Sequence, residues 1–291
     1  MATKMNFGDR LFLIGVYAAL LVLVLSMMLP LLQVVTISLS PPKVVNSYGF
    51  HLFPTVLDFS GYAKVLRYDA IWTAYGNTVL RTLLGTAITL LLTFLGAYPL
   101  SKKRLPHRKF WTGFVVLTMF FSGGMIPTYL LVKGLGLMNT IWALVLPSAI
   151  SVFLLLIVRN FMIALPESLE ESAKIDGAND VFILFRIVLP LSLPIIATVG
   201  LYTAVWHWNA WFDSMIYIQE ESKQVLQLIL RRILLEGQDV SVETSASMQA
   251  AVSTETVKMA ALVVSVLPIM CVYPFLQKYF VKGTLIGSVK G

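Results

Sequence analysis

A chain of 291 residues that is 57% hydrophobic and only 13% charged, with mean hydropathy +0.80, cannot cover itself with polar surface in water. An ordinary soluble domain is excluded and lipid becomes the solvent. The formal net charge of +7 then fits a topology signal and a match to anionic lipid better than a nucleic-acid surface.

A hydrocarbon core takes about 20 apolar residues per spanning helix. Six runs nearly free of charge meet that length, at 11–32, 82–100, 110–132, 137–158, 187–210 and 259–276. An all-α polytopic membrane protein is expected, as a single transmembrane domain over 1–291. Lys4 and Arg10 precede the first run as in a signal peptide. That run exceeds the usual secretory apolar region of about 7 to 15 residues and no A-x-A site follows, so it is expected to be a retained helix.

Basic residues set the orientation. With the N-terminus inside, segments 1–10, 101–109, 159–186 and 277–291 hold 13 Lys and Arg in 62 residues, against 9 in the 99 residues of the outside segments. Both termini are therefore expected in the cytoplasm. Lys102, Lys103, Arg104, Arg108 and Lys109 do most to fix this, in a short loop next to two spans.

Spans three and four carry Gly123-Gly-Met-Ile-Pro127 and Leu146-Pro147. These read either as kinks that shape packing or as breaks that expose backbone to a cavity. The single cysteine, Cys271, cannot form an intramolecular disulfide and reads as a packing residue.

Chemistry-bearing motifs are mostly missing. No G-x-x-x-x-G-K-[ST] loop is present to hold a nucleotide, and His51, His107 and His207 fall in separate segments without H-E-x-x-H or G-x-S-x-G. An enzyme is not expected. The alternative transporter class, an ion-coupled secondary sugar carrier, needs ionisable groups deep in its spans. Arg81 and Asp213 read instead as edge residues snorkelling to the interface.

The most polar inside segment lies between spans four and five, in the loop 159–190. It reads Leu165-Pro-Glu-Ser-Leu-Glu-Glu-Ser-Ala-Lys-Ile-Asp-Gly-Ala-Asn-Asp180 and predicts two short helices. Pro166 suits a first helical position, Glu167 complements the positive helix end, and Gly177 permits a left-handed stop after Asp176. The first helix is too short and charged to cross a membrane, yet it sits directly beneath the spans.

Glu171-Ser-Ala-Lys-Ile-Asp-Gly177, nine residues, then Ile187-Val-Leu-Pro190 resembles the E-A-A, nine-spaced glycine and I-x-L-P loop of ABC importer permeases. Ser172 stands where that family usually has alanine. Phe121 to Tyr129, Asn139 to Pro147, His207 to Trp211, Leu226 to Arg232 and Tyr273 to Gly283 extend the resemblance to carbohydrate-uptake permeases. It is greatest to the branch with alginate and pectin-type oligosaccharide permeases. The resemblance implies a type I importer permease fold and a multi-pass place in the bacterial inner membrane. The implied partners are a second related permease, two ATPase subunits and an external solute-binding protein.

It further implies that no cofactor belongs to this chain, ATP and Mg being held by the partner ATPase. The short helix would be a coupling helix, with Glu167, Glu170, Glu171, Ala173, Asp176, Gly177 and Ala178 at the ATPase contact. Glu171 also fits an internal capping box with Ser168, and both readings stand.

Trp206-His-Trp-Asn-Ala-Trp-Phe-Asp213 ends span five with aromatic rings beside amide and imidazole groups. Such rings stack on the apolar face of a sugar, and the polar groups match its hydroxyls; the competing reading is an interfacial aromatic belt. Helical spacing puts His207 and Trp211 on one face with Trp208 near it, so His207, Trp208, Asn209 and Trp211 are the cargo candidates while Trp206 is expected to face lipid. The external loop 213–258 holds a helix candidate from Gln224 to Glu236 stopped by Gly237, then a small polar stretch from Ser245 in which Ser253 or Thr254 can cap the last span. By resemblance it also meets the binding protein.

Overall fold

The computed structural model describes residues 7–45, 52–236 and 254–288, and among these every regular element is a helix. His51, Gly237, Ser245 and Ser253 lie outside the described residues. The chain divides into two compact units, residues 1–69 with 230–267 and residues 70–229 with 268–291.

The first unit contains α1 (Phe7–Ser38), α2 (Pro42–Val45) and α3 (Ser60–Leu66). α1 is apolar on all sides and its side chains up to Leu32 are almost all exposed, the surface expected of a helix solvated by lipid. Its polar end is tied down locally: Thr36 Oγ1 donates to the Leu52 carbonyl (2.9 Å), the Ser38 and Tyr62 hydroxyls share a hydrogen bond of 2.7 Å, and Thr256 Oγ1 donates to the Ser40 carbonyl (3.2 Å).

The second unit starts within α4 (Asp69–Ser101) and continues through α5 (Arg108–Phe120), α6 (Met125–Gly134), α7 (Ile141–Val145), α8 (Val152–Ile163) and α9 (Ser168–Ile175). After these come α10 (Asp180–Ile183), α11 (Leu189–Leu191), α12 (Leu193–Asn209), α13 (Phe212–Tyr217), α14 (Leu226–Arg231) and α15 (Thr254–Ser288), the last two having residues in both units.

Among the described residues, three helices are long and apolar enough to cross a membrane: α1, α4 and Thr254–Val272 of α15. Three further spans are bent pairs, Arg108–Phe120 with Met125–Gly134 at 107°, Ile141–Ser148 with Val152–Ile163 at 55°, and Asp180–Leu191 with Leu193–Asn209 at 83°. The fold is all-α and polytopic, with six spans when each bent pair is one.

The glycine and proline stretches of spans three and four are thus breaks. At the first, Gly124 adopts φ +87, a backbone that L side chains rarely take; at the second, Pro147 lies in a 3-10 turn, Leu146–Ser148. Span five, expected as one run from 187 to 210, also breaks, because Pro194 lacks the N–H that a helix continuing through Ser192 would use. Cys271 is exposed on α15, so it does not pack inside this chain.

The core of the second unit joins Phe94, Ala97 and Tyr98 of α4 to Leu154, Leu155, Val158 and Met162 of α8 and to Ile183, Val188 and Val199. Toward its other end α4 becomes polar. Thr78 Oγ1 donates to the Ala74 carbonyl (2.9 Å) and accepts from the Leu226 amide (2.8 Å), while Asn77 Nδ2 donates to the Ser222 and Gln224 carbonyls. These contacts hold the start of α14 against α4. Thr78→Val, which keeps shape but leaves the buried Leu226 N–H without an acceptor, is expected to cost about 1–3 kcal/mol. Thermal unfolding of the purified protein checks this, with Thr78→Ser retaining most of the stability.

Candidate functional site

The polar loop after α8 folds as α9, whose C-terminus is closed by Gly177 at φ +82. The Gly177 amide donates to the Lys174 carbonyl (3.0 Å) and the Ala178 amide to the Ala173 carbonyl (2.9 Å), the paired bonds of a Schellman cap. Ala173 and Ala178 then pack together on the core cluster, so small side chains at both positions let the capped turn lie close to α4 and α8. At the other end Pro166 precedes the helix instead of opening it, and Glu167 is the N-cap with helical backbone angles and no side-chain cap. Ser168 is already inside the helix and its carbonyl accepts from Ser172 Oγ (2.9 Å), so the Ser168–Glu171 capping box does not form.

The acidic residues of this region divide into two sets. Glu170 pairs with Lys102, Glu167 with Lys103 (2.7 Å), and Asp180 with Arg104. Glu171 and Asp176 are exposed and form no ion pair among the described residues. Ile175 stands beside them, 86% exposed. The loop 102–104, read from sequence only as an orientation signal, is therefore also a three-point clamp, on Glu167 and Glu170 at the start of the short helix and on Asp180 at the start of α10. The sequence did carry a signal for it: a basic triplet and an acidic helix on the same side of the membrane.

The three pairs are unequal. Lys102 and Glu170 side chains are 16% and 14% exposed, and the Lys102 ammonium also lies 4.3 Å from the centre of the Tyr98 ring, whereas the other pairs are open to solvent and contribute little. Hydrogen bonding and charge from Lys103 hold the Glu167 carboxyl below its ordinary 4.5. A depressed carboxyl contributes its stabilisation above the unfolded value and loses it as pH falls through the folded one. The Lys103–Glu167 pair is therefore engaged at neutral pH and is no switch there.

Beyond α12 lies the second feature. Thr198, Tyr202, Val205, Trp206 and Asn209 follow one face of that helix and line a cavity of about 760 Å³, completed by Leu201, Ala210, Trp211, Phe212 and Asp213. His207 and Trp208 are on the other side, 1% and 6% exposed. Trp208 meets Tyr75 edge to face (5.6 Å between ring centres), and the His207 imidazole lies directly on Gly85, where any β-carbon would collide with the ring. Of these residues, Trp206 lines this cavity and His207 and Trp208 do not, although His207 and Trp206 both line a smaller cavity of about 290 Å³ with Thr89, Ser148 and Thr203. The physical reason is that α12 ends at Asn209 and Ala210 is extended (φ −74, ψ 130), so the four-residue spacing from His207 to Trp211 does not run along one helix. Among the expected cargo residues, Asn209 and Trp211 do line the cavity.

Arg81 is the other correction. It is wholly buried in α4, paired with Asp213, donating to the Ala210 carbonyl (3.0 Å) and the Leu144 carbonyl (3.4 Å), with the Trp206 ring centre 6.0 Å from its guanidinium carbon. It does not snorkel, because four groups contact its guanidinium inside, although its Nε has no hydrogen-bond partner. An ion pair with one member buried and the other partly exposed is thus present after all, and a lack of ionisable groups is no argument against ion coupling.

Lys102→Glu is expected to weaken the clamp by about 1 kcal/mol and to speed amide exchange across 168–175 severalfold, and the swap Lys102→Glu with Glu170→Lys should restore most protection. Hydrogen-exchange mass spectrometry on the three proteins checks this.

Residues 70–286 match the family described as binding-protein-dependent transport system inner membrane component. The chain is 44% identical over 284 residues to the polygalacturonan/rhamnogalacturonan transport system permease protein YtcP of Bacillus subtilis, covering 97% of this chain and 99% of that one. It is also 44% identical over 264 residues to protein LplC of the same organism, covering 90% and 89%. Its backbone matches a chain in the crystal structure of a bacterial ABC transporter involved in the import of the acidic polysaccharide alginate, with TM-score 0.89, 33% identity and coverage of 96% and 100%. With spans, polar loop and sequence in agreement, the chain belongs to the inner-membrane components of binding-protein-dependent transport systems, as the permease subunit of an ATP-binding-cassette importer.

Proposed function

We propose that this chain forms part of the path by which oligosaccharide enters the bacterial cytoplasm, together with a second related permease, two ATPase subunits that hold ATP and Mg, and an external solute-binding protein. Both termini and α9 face the cytoplasm. The carrying observation is the cavity on α12, where Tyr202, Trp206, Trp211 and Phe212 supply ring faces and Asn209 and Asp213 supply polar atoms. A sugar ring offers the matching surface, an apolar C–H face bordered by hydroxyls. The polygalacturonan/rhamnogalacturonan permease and the alginate transporter among the similar proteins put pectin- and alginate-type oligosaccharides first as cargo.

Force enters through α9. Glu171, Asp176 and Ile175 form the free face offered to the ATPase, Gly177 makes the turn, Ala173 and Ala178 seat the helix, and Glu167 and Glu170 hold it to the basic loop. The aromatic-belt reading accounts less well for α12, because Asn209 and Asp213 share the concave wall with the rings.

In proteoliposomes holding the whole complex, Trp206→Ala is expected to lower cargo-stimulated ATP hydrolysis by roughly three- to tenfold, the loss of one ring contact. Trp208→Ala should instead lower thermal stability by about 3 kcal/mol or more, since it empties a packed site. Unchanged stimulation by Trp206→Ala favours the belt. A separate test addresses coupling: Glu171→Lys reverses the charge offered to the ATPase, and Gly177→Val strains the positive-φ turn by about 1–3 kcal/mol. Both are expected to reduce co-purified ATPase and uptake at normal permease level; retention of both functions removes α9 from the coupling role.

A further inference from the structure

Asp213 is the charged residue on the cargo wall; the other residues lining that cavity are apolar, aromatic, amide or hydroxyl. Its side chain is 23% exposed and Asp213 lines the cavity, while the Arg81 side chain paired with it is 0% exposed. Arg81 also bonds the Ala210 carbonyl and lies near the Trp206 ring, so one buried cation contacts three pieces of the same wall. The pair is fixed on both sides, since Asp213 Oδ1 also accepts from the Ser214 amide (2.9 Å).

The electrical result depends on this order of groups. A bare carboxylate on the wall repels an anionic sugar, and a bare guanidinium holds it too tightly to release. A carboxylate compensated by a hidden cation does neither. We propose that the Arg81–Asp213 pair keeps the cargo wall electrically neutral and thereby sets the permease's discrimination between uronate-bearing and neutral saccharides. This rests on the reading of the α12 cavity as the cargo path.

The decisive measurement is a ratio. Uptake is followed in proteoliposomes containing the whole complex and its binding protein, with an oligogalacturonate and with its methyl-esterified, uncharged counterpart. The binding protein's own preference cancels when each variant is compared with the parent complex. Asp213→Asn keeps an acceptor for Arg81 while leaving the guanidinium uncompensated. It is expected to lower KM for the uronate on the order of tenfold, with little change for the ester. Arg81→Met with Asp213→Asn has the same net charge as the parent pair and is expected to return the ratio of the two KM values to within about threefold of the parent, whatever its effect on stability. A ratio unmoved by Asp213→Asn, or equally altered by the uncharged double variant, overturns the proposal. If Trp206→Ala impairs uptake of both cargoes while Asp213→Asn leaves the ratio alone, the charge proposal fails and the cargo path stands. If Trp206→Ala affects neither cargo, the cargo path itself is wrong and this proposal falls with it.

Discussion

Arg81 shows how a chain in lipid can contain broken helices. Without water, each backbone carbonyl released where a helix stops needs a donor from the protein. The Leu144 carbonyl lies just before the 3-10 turn of span four, Ala210 follows the end of α12, and Asp213 lies in the first turn of α13. Arg81 donates to all three from the middle of α4. Neutral side chains have too few donors for that task, and a lysine ammonium lacks the planar fork. Taking away one partner of such a buried pair costs about 3–5 kcal/mol, a large share of any domain's net stability. The same contacts fix Trp206, Ala210 and Asp213 on the cavity wall, so the device that reconciles broken helices with lipid also shapes the surface proposed for cargo.

At the polar end different physics applies. Ion pairs in water are weak, so Lys103–Glu167 orients the start of α9, and Arg104–Asp180 the start of α10, without holding either firmly. Precision comes from the backbone, through the Schellman bonds at Gly177 and the close seating of Ala173 and Ala178. Lys102–Glu170, largely buried and backed by Tyr98, is intermediate. α9 is therefore held rigidly at its C-terminal turn and steered along its side, while Glu171 and Asp176 stay free.

What the sequence made legible follows the range of the forces involved. Spans were readable because hydropathy sums over about 20 neighbouring residues, and the stop at Gly177 because a left-handed turn is a local demand. The α12 face was misread because helical spacing holds only while the helix lasts, and Ala210 ends it one residue before Trp211. Arg81 was misread as an interfacial residue because its partners are 63 to 132 positions away. Pro166 was placed two positions too far in, since Glu167 is the N-cap and the helix begins at Ser168. The basic triplet 102–104 served two purposes, and hydropathy reasoning finds only the topological one.

These parts lie on one short stretch of chain. From the cap at Gly177 the backbone enters α10, passes through a π-helical turn at Leu184–Val188 and α11, and reaches Ser192, where it bends by 83° into α12. Ser192 is fully buried; its amide donates to the Val188 (2.9 Å) and Leu189 (3.0 Å) carbonyls, and its own carbonyl accepts from Ile196 (2.9 Å). Both arms of the bend are thus hydrogen-bonded into the corner, which makes it stiffer than a loop of equal length. Ile183, Leu184 and Val188 on one arm and Val199 on the other share a core with α4 and α8. Close-packed interiors transmit displacement better than they absorb it. On the proposed function, motion imposed on α9 therefore reaches the cargo wall by way of this stiff corner and the π-helical turn that precedes it.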